Sequence, residues 1–423
     1  MTESIEIQPA TVSGTIQPPG SKSITNRALV CASLADGTSH LTGVLDSDDT
    51  RVMIESLRRL GIAIEAELPC ATLDVTGCGG RLPGSGADLF VGNSGTTVRF
   101  LTAMVALGHG TYRLDGVPRM RQRPIQDLID ALQHLGVDIR SDYGTGCPPV
   151  TIVAQGLRGG TVPMRGDTSS QFLSALLMAA PYAEQPVTIE LVGPLVSQPY
   201  VRMTCRVMEA FGARVDVEAG ERRLNVARGA FEAVHYAIEP DASAASYFWA
   251  AAAITGGCVR VVGLSRNALQ GDVAFCDCLM KMGCQVDYGA DYIEVTGGPL
   301  RGIDINMNAI SDTVQSLGAV ALFADGPTRI SGVAHIRHKE TDRIGDLARE
   351  LRKFGARVDE NADGLTIDPG PLRAAVVETY DDHRMAMSLA LPGLRIPGVV
   401  VTNPACTAKT YPHFFADLNR LRT

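Results

Sequence analysis

A helical pattern closed by glycine recurs along this chain, and its spacing restricts the fold more than any other feature. It reads SLRRLG to Gly61, ALQHLG to Gly136, VMEAFG to Gly212, CLMKMG to Gly283 and ELRKFG to Gly355, at intervals of 75, 76, 71 and 72 residues. Glycine suits the residue after a helix because that position often needs a positive φ. Proline near the start of related helices, at Pro124, Pro199 and Pro412, suits a first turn where no N–H is required. A second helical pattern opens near Ser21, Asn93, Ser169, Asp241, Asp312 and Asp382, at intervals of 72, 76, 72, 71 and 70. A β-rich stretch follows each: SHLTGV, TYRLDG, VTIELVG, VRVVG, TRISGV and VVVTN. The unit therefore reads strand, helix, strand, helix, strand, strand, and six such units fill the 423 residues.

The period is too long for a common solenoid, and each unit reads as a small mixed α/β layer. The sixth stops at DLNRLRT, with no room for its last two strands. The first twenty residues hold two short strand candidates and are predicted to complete it. Residues 1–20 and 240–423 would then form one discontinuous domain of units four to six, and residues 21–239 an inserted domain of units one to three. The predicted fold class is α+β (mixed α/β), with connections near Pro19-Gly20 and Glu239-Pro240. Each domain closes on its own repeats, so a monomer is expected.

Composition excludes several classes of function. A formal charge of −8 and a pI of about 5.5 argue against broad nucleic-acid binding, so bound anions need local clusters of cations. No apolar run is long enough to cross a membrane. The start, MTESIE, is acidic without an apolar core, so no secretory leader and a cytoplasmic location are expected. The 10 cysteines lack zinc spacing and read as reduced thiols; no metal site is predicted.

Cations stand where helix openings ordinarily carry acids. Lys22 follows Ser21, with Arg27 a turn later; Arg384 follows Asp381-Asp382-His383; Arg99 lies in the helix after Asn93-Ser94-Gly95. A cation there costs a few tenths of a kcal/mol or more unless an anion sits nearby. Further cations crowd the connections: Arg119, Arg121 and Arg123, then Lys339 and Arg343 around Glu340, then Lys409. Any one of them reads equally as a solvated surface charge. Together, in loops rich in glycine and hydroxyl side chains, they predict at least two anionic groups bound between the domains. No G-x-x-x-x-G-K-[ST] loop, dinucleotide fingerprint or H-E-x-x-H motif competes with this reading.

Nine segments in order resemble the EPSP synthase (3-phosphoshikimate 1-carboxyvinyltransferase) family. They are PPGSKSITNRAL (18–29), GNSGTTVRFL (92–101), PRMRQRPI (118–125), DTSSQFLSALLMAAP (167–181), LVSQPY (195–200), ISDTVQSL (310–317), HKETDR (338–343), YDDHRMAM (380–387) and CTAKTYP (406–412). The resemblance implies two inside-out α/β domains, each of three βαβαββ repeats, with the active site in the interdomain cleft. It implies transfer of the enolpyruvyl group of phosphoenolpyruvate to the 5-hydroxyl of shikimate 3-phosphate, releasing phosphate, without metal or organic cofactor.

By the same resemblance Asp312, Glu340 and Lys22 are catalytic. Asp312 serves as base at the hydroxyl, although a carboxylate there also suits a simple helix cap. The proton shuttle at carbon lies with Glu340 or Lys22. Phosphoenolpyruvate would meet Lys22, Gly95, Arg123, Gln171, Arg343, Arg384 and Lys409. Shikimate 3-phosphate would meet Lys22, Ser23, Arg27, Ser169, Ser170, Gln171, Ser197, Tyr200, Asp312, His335 and Lys339. Tyr200 reads either as a plate for the substrate ring or as a core tyrosine, and His383 as a group that tunes its neighbours. Three positions depart from the family habit: Ser94 where alanine is frequent, Phe100 where proline is frequent, and His335 where asparagine is common. Retention of Gly95 implies inhibition by glyphosate. A UDP-sugar enolpyruvyl transferase is the nearest rival, but no cysteine lies between Cys78 and Cys147 to supply its reactive loop. A non-catalytic phosphometabolite-binding protein is the alternative from another class.

Overall fold

Helices of two kinds alternate along the chain. They are Lys22–Leu34 (α1), Asp48–Arg59 (α2), Gly95–Val105 (α3), Gln126–His134 (α4), Ser170–Ala179 (α5), Gln198–Ala210 (α6), Ala242–Thr255 (α7), Phe275–Met282 (α8), Val314–Ala321 (α9), Gly345–Lys353 (α10), His383–Ala390 (α11) and Phe414–Arg420 (α12). The odd-numbered helices have almost no solvent-facing side: every residue of α3, α9 and α11 is buried. A helix apolar on all sides belongs in an interior. The even-numbered helices are amphipathic; α10, for example, buries Leu347, Ala348 and Leu351 and exposes Arg349 and Arg352. All five glycines that close the recurrent helical pattern have positive φ, from 88° at Gly61 to 116° at Gly283.

The computed structural model describes residues 3–218, 220 and 222–423. The chain divides into two units, Gly20–Ile238 and Glu239–Thr423 with the described residues up to Pro19. In the first, α1 and α5 pack on α3; in the second, α7 and α11 pack on α9. Small residues permit the close approach in the second unit, where Ser246 Oγ lies 2.8 Å from Ser316 Oγ. Four-stranded sheets flank these helices, and the architecture is mixed α/β throughout.

One sheet shows the repeated order. Strand Gly86–Phe90 runs parallel to His109–Asp115, which pairs antiparallel with Val150–Gln155, which pairs antiparallel with Asp138–Ser141. The same order recurs in the sheets centred on Val187–Val192 and Thr328–Ser331. Two sheets obtain their first strand from elsewhere in their own unit. His235–Ala237 fills that edge beside Thr38–Thr42, and Gly14–Ile16 fills it beside Cys258–Val262. Parallel strands cannot be joined by a tight turn. The chain enters α1 and α7 straight from the other unit, so that edge is left for a distant strand.

This corrects the reading of the N-terminus. Only Ser4–Ile7 completes the sixth sheet, antiparallel to Val399–Thr402, while Gly14–Ile16 opens the fourth.

The closing glycines provide a test. A Cβ at Gly355, where φ is +104°, would lie 2.4 Å from the Pro371 carbonyl oxygen. Gly355→Ala is expected to cost about 1–2 kcal/mol or more, from left-handed strain plus this backbone clash. Thermal unfolding should show a midpoint lowered by several degrees; an unchanged midpoint contradicts the assignment.

Candidate active site

In the unit Gly20–Ile238, the side chains expected to bind substrate lie at or near the openings of α1, α3, α5 and α6. Ser21, Ser94 and Ser169 cap the first three through their hydroxyls. Lys22 Nζ lies 3.2 Å from Asp49 Oδ2, a nearly buried carboxylate in the first turn of α2. Gly95 is the first residue of α3 and is flanked by two arginines. Arg123 Nη1 donates to the Asn93 carbonyl at 2.9 Å. Arg99 Nη1 donates to the Gly95 carbonyl at 3.2 Å and to Gln171 Oε1 at 2.8 Å. A Cβ at Gly95 would sit 2.4 Å from Arg123 Nη2 and 2.5 Å from Arg99 Nη1.

Ser170 is buried, Ser23 and Ser169 are part-buried, and Ser197 takes a left-handed φ of 51° at the mouth of α6. Part-buried Tyr200 follows in its first turn. Arg27 is buried and donates to Thr204, Ser23, Ser174 and Tyr200. Lys22 is thus ion-paired with Asp49, while the guanidinium of Arg27 rests on neutral oxygens.

The other unit gathers cations and carboxylates together near the openings of α9 and α11. Arg343 is 1% exposed. It forks onto Asp382 at 2.7 and 3.0 Å, reaches Glu340 Oε2 at 2.8 Å and Asp312 Oδ1 at 3.4 Å. Burial disfavours this cation, but Asp382, Glu340 and Asp312 outweigh it and hold its pKa above the ordinary arginine value. Arg384 Nη2 donates to Asp312 Oδ2 at 2.8 Å, and its Nη1 to Tyr247 Oη at 3.3 Å. Lys409 is buried at the end of a short helical turn, Pro404–Lys409, and Lys339 is part-buried next to Glu340.

Asp312 lies in the turn Asn308–Thr313 just ahead of α9, where the Thr313 side chain makes no capping bond. Its carboxylate engages Arg343 and Arg384.

Local strain accompanies this arrangement. Tyr380 and Asp381 both have left-handed φ, 53° and 55°, immediately before Asp382 caps α11. Such conformations cost on the order of 1–3 kcal/mol each and persist where surrounding bonds enforce them. Tyr380 Oη donates to Glu350 at 2.6 Å, and Asn403 Nδ2 to Asp381 at 3.3 Å. The turn aims Asp382 at Arg343.

His335 lies beside Asp312, with Nε2 2.9 Å from Ser311 Oγ. Burial and then Lys339 push its pKa down to about 4, against a smaller opposing effect of Asp312. It is therefore neutral near pH 7.

The residues expected from sequence thus fall in two groups, one per unit, at helix openings and in nearby short turns. Sequence reasoning missed Asp49, the fork of Asp382 on Arg343, and the Arg99–Gln171 bond. Asp49 follows Ser47-Asp48 and looks like an ordinary first-turn acid. Only its proximity to Lys22, across two helices, marks it.

Solved EPSP synthase and enolpyruvyl transferase structures share this fold. An EPSP synthase of Acinetobacter baumannii matches with a TM-score of 0.82 at 26% identity, covering 100% of this chain and 98% of that one. An enolpyruvyl transferase of Streptomyces tendae shares the fold, with a TM-score of 0.78 at 22% identity over 100% of this chain and 98% of that one. The family model for EPSP synthase (3-phosphoshikimate 1-carboxyvinyltransferase) matches residues 7–418. A 3-phosphoshikimate 1-carboxyvinyltransferase of Nostoc sp. is 52% identical over 96% of this chain and 95% of its own length. One from Serratia proteamaculans is 46% identical over 100% and 99%. The chain belongs to the EPSP synthase family.

His335 predicts a pH effect of known sign. Its folded pKa, about 4, lies below the ordinary 6.5, so the unfolded chain binds the extra proton first as pH falls. The neutral histidine's stabilisation is complete above pH 6.5 and is lost progressively down to pH 4, by on the order of 3 kcal/mol. His335→Asn should flatten the stability profile between those limits. Equal slopes for parent and variant in urea titrations at several pH values would contradict this.

Proposed function

We propose that this chain transfers the enolpyruvyl group of phosphoenolpyruvate to the 5-hydroxyl of shikimate 3-phosphate. The products are 5-enolpyruvylshikimate 3-phosphate and phosphate, within chorismate and aromatic amino acid biosynthesis. The observation that carries the reading is the shared clamp on Arg343, where Asp312 and Glu340, both proposed proton carriers, meet one buried guanidinium.

The chemistry is addition followed by elimination. A proton goes to the methylene carbon of phosphoenolpyruvate, C2 gains oxocarbenium character, and the acceptor hydroxyl attacks it. Phosphate then leaves the tetrahedral ketal, and its methyl group returns a proton. Asp312 takes the hydroxyl proton, and Glu340 or Lys22 carries the proton at carbon. Lys22, Gly95, Arg123, Gln171, Arg343, Arg384 and Lys409 hold the donor's phosphate and carboxylate. Ser23, Arg27, Ser169, Ser170, Gln171, Ser197, Tyr200, Asp312, His335 and Lys339 hold the acceptor, with Lys22 and Gln171 touching both partners. Donor anions compete with Asp312 for Arg343 and Arg384, which frees its oxygens for the hydroxyl proton. The reaction draws on both groups of residues and on no metal or organic cofactor. Among the described residues no helix is long and apolar enough to cross a membrane. We infer a cytoplasmic monomer.

Phosphate release from phosphoenolpyruvate that requires shikimate 3-phosphate tests this reading directly. Release with a UDP-sugar instead, or none with either acceptor, overturns it. Asp312→Asn and Glu340→Gln should each lower kcat roughly 10²–10⁴-fold, the usual share of a positioned acid or base. Full activity in either variant removes that residue from the mechanism.

Gly95 yields a second expectation. The parent should be inhibited by glyphosate in competition with phosphoenolpyruvate. Gly95→Ala pushes two guanidinium groups aside. It should raise both the KM for phosphoenolpyruvate and the inhibition constant about tenfold or more, the equivalent of ~1.4 kcal/mol. Unchanged values would show that Arg123 does not hold the donor.

A further inference from the structure

Arg27 and Arg343 are both buried cations, held in opposite ways. Three carboxylates surround Arg343. Arg27, 2% exposed, has none within ion-pair reach among the described residues. Its Nε donates to Thr204 Oγ1 at 2.7 Å, and its Nη1 to the Ser23 carbonyl at 2.8 Å. Its Nη2 donates to Ser174 Oγ and the Tyr200 carbonyl, each at 3.2 Å. All four acceptors are neutral, which leaves one of the five guanidinium N–H groups over. Burial pulls the Arg27 pKa down to about 10, with only weak opposition from Tyr200 and more distant groups. A buried charge needs pairing or an equivalent field.

Two aromatic faces supply such a field. The Arg27 guanidinium carbon lies 5.1 Å from the centre of the Phe100 ring and 6.0 Å from that of Tyr200. Both are within the range where a ring quadrupole attracts a cation. Phe100 is 1% exposed on α3, so this attraction acts in a desolvated setting where it is strongest. Proline, the frequent residue at this place in the family, has no π face.

We infer that Phe100 is a positioning residue for the acceptor: its ring face stands in for the counter-ion that Arg27 lacks and holds the guanidinium ready for an anionic oxygen of shikimate 3-phosphate. The inference rests on the proposed function, in which Arg27 contacts that substrate. Phe100 itself touches neither substrate nor reacting atoms.

The test replaces Phe100 with phenylalanines carrying one, two and five ring fluorines, which weaken the quadrupole at nearly constant shape, and separately with leucine. Both kinetic constants are measured for each substrate, and circular dichroism checks folding. The KM for shikimate 3-phosphate should climb with each fluorination, reaching about three- to tenfold for the pentafluoro ring. The KM for phosphoenolpyruvate and kcat should move less than twofold. A residue that merely fills space would show no dependence on fluorine count, and that result overturns the inference while the parent's activity stands. If the parent releases no phosphate in the presence of shikimate 3-phosphate, the functional reading itself fails. Should Phe100→Leu not fold, the fluorinated series decides alone.

Discussion

Helices with no solvent-facing side leave only their first two turns for charged chemistry. This constraint governs the molecule. Every residue of α3, α9 and α11 is buried, and α1, α5 and α7 are nearly so. A charge in the middle of such a helix would need a costly buried partner. The openings offer unpaired N–H groups, a favourable dipole for anions and loops that bring further side chains. Repetition of the unit multiplies these openings and gathers three of them in each unit. The closing glycines and the borrowed edge strands serve the same end, since they let each sheet and amphipathic helix cover the apolar stems.

Cations at these openings need compensation, and the two units supply it differently. Around Arg343 the protein spends three carboxylates, so an incoming anion must compete with them. Removing one partner from such a buried cluster typically costs about 3–5 kcal/mol. Around Arg27 it uses neutral oxygens and two ring faces, which leave the positive charge available. Lys22 pairs with the nearly buried Asp49. In the proposed reaction the group around Arg27 receives anionic oxygens, and the group containing Asp312 and Glu340 carries protons.

The legible parts of the sequence were those with local causes. A glycine after an amphipathic helix reports a left-handed turn from its own backbone geometry, and all five behave so. The serines at α1 and α5 and Asp382 at α11 were readable as helix openings for the same reason. The destination of Gly14–Ile16 was not readable, because a three-residue strand carries no mark of its partner. The ion pairs of Asp312 were not readable, since the arginines that claim it lie 31 and 72 residues away. Asp49 looked like an ordinary first-turn acid, and Phe100 stood out only as a departure from the family habit, with no sign of its contact with Arg27.

The sequence by itself determined the six-unit plan, the helix openings that carry cations and, through nine motifs in order, the family. These depend on periodicity, residue chemistry and short-range backbone preference. Tertiary structure alone decided which carboxylate neutralises which cation, which strand fills which edge, and that Arg27 lies against rings while Arg343 lies among acids. Those outcomes depend on distances between helices far apart in the chain, and no local pattern encodes such distances.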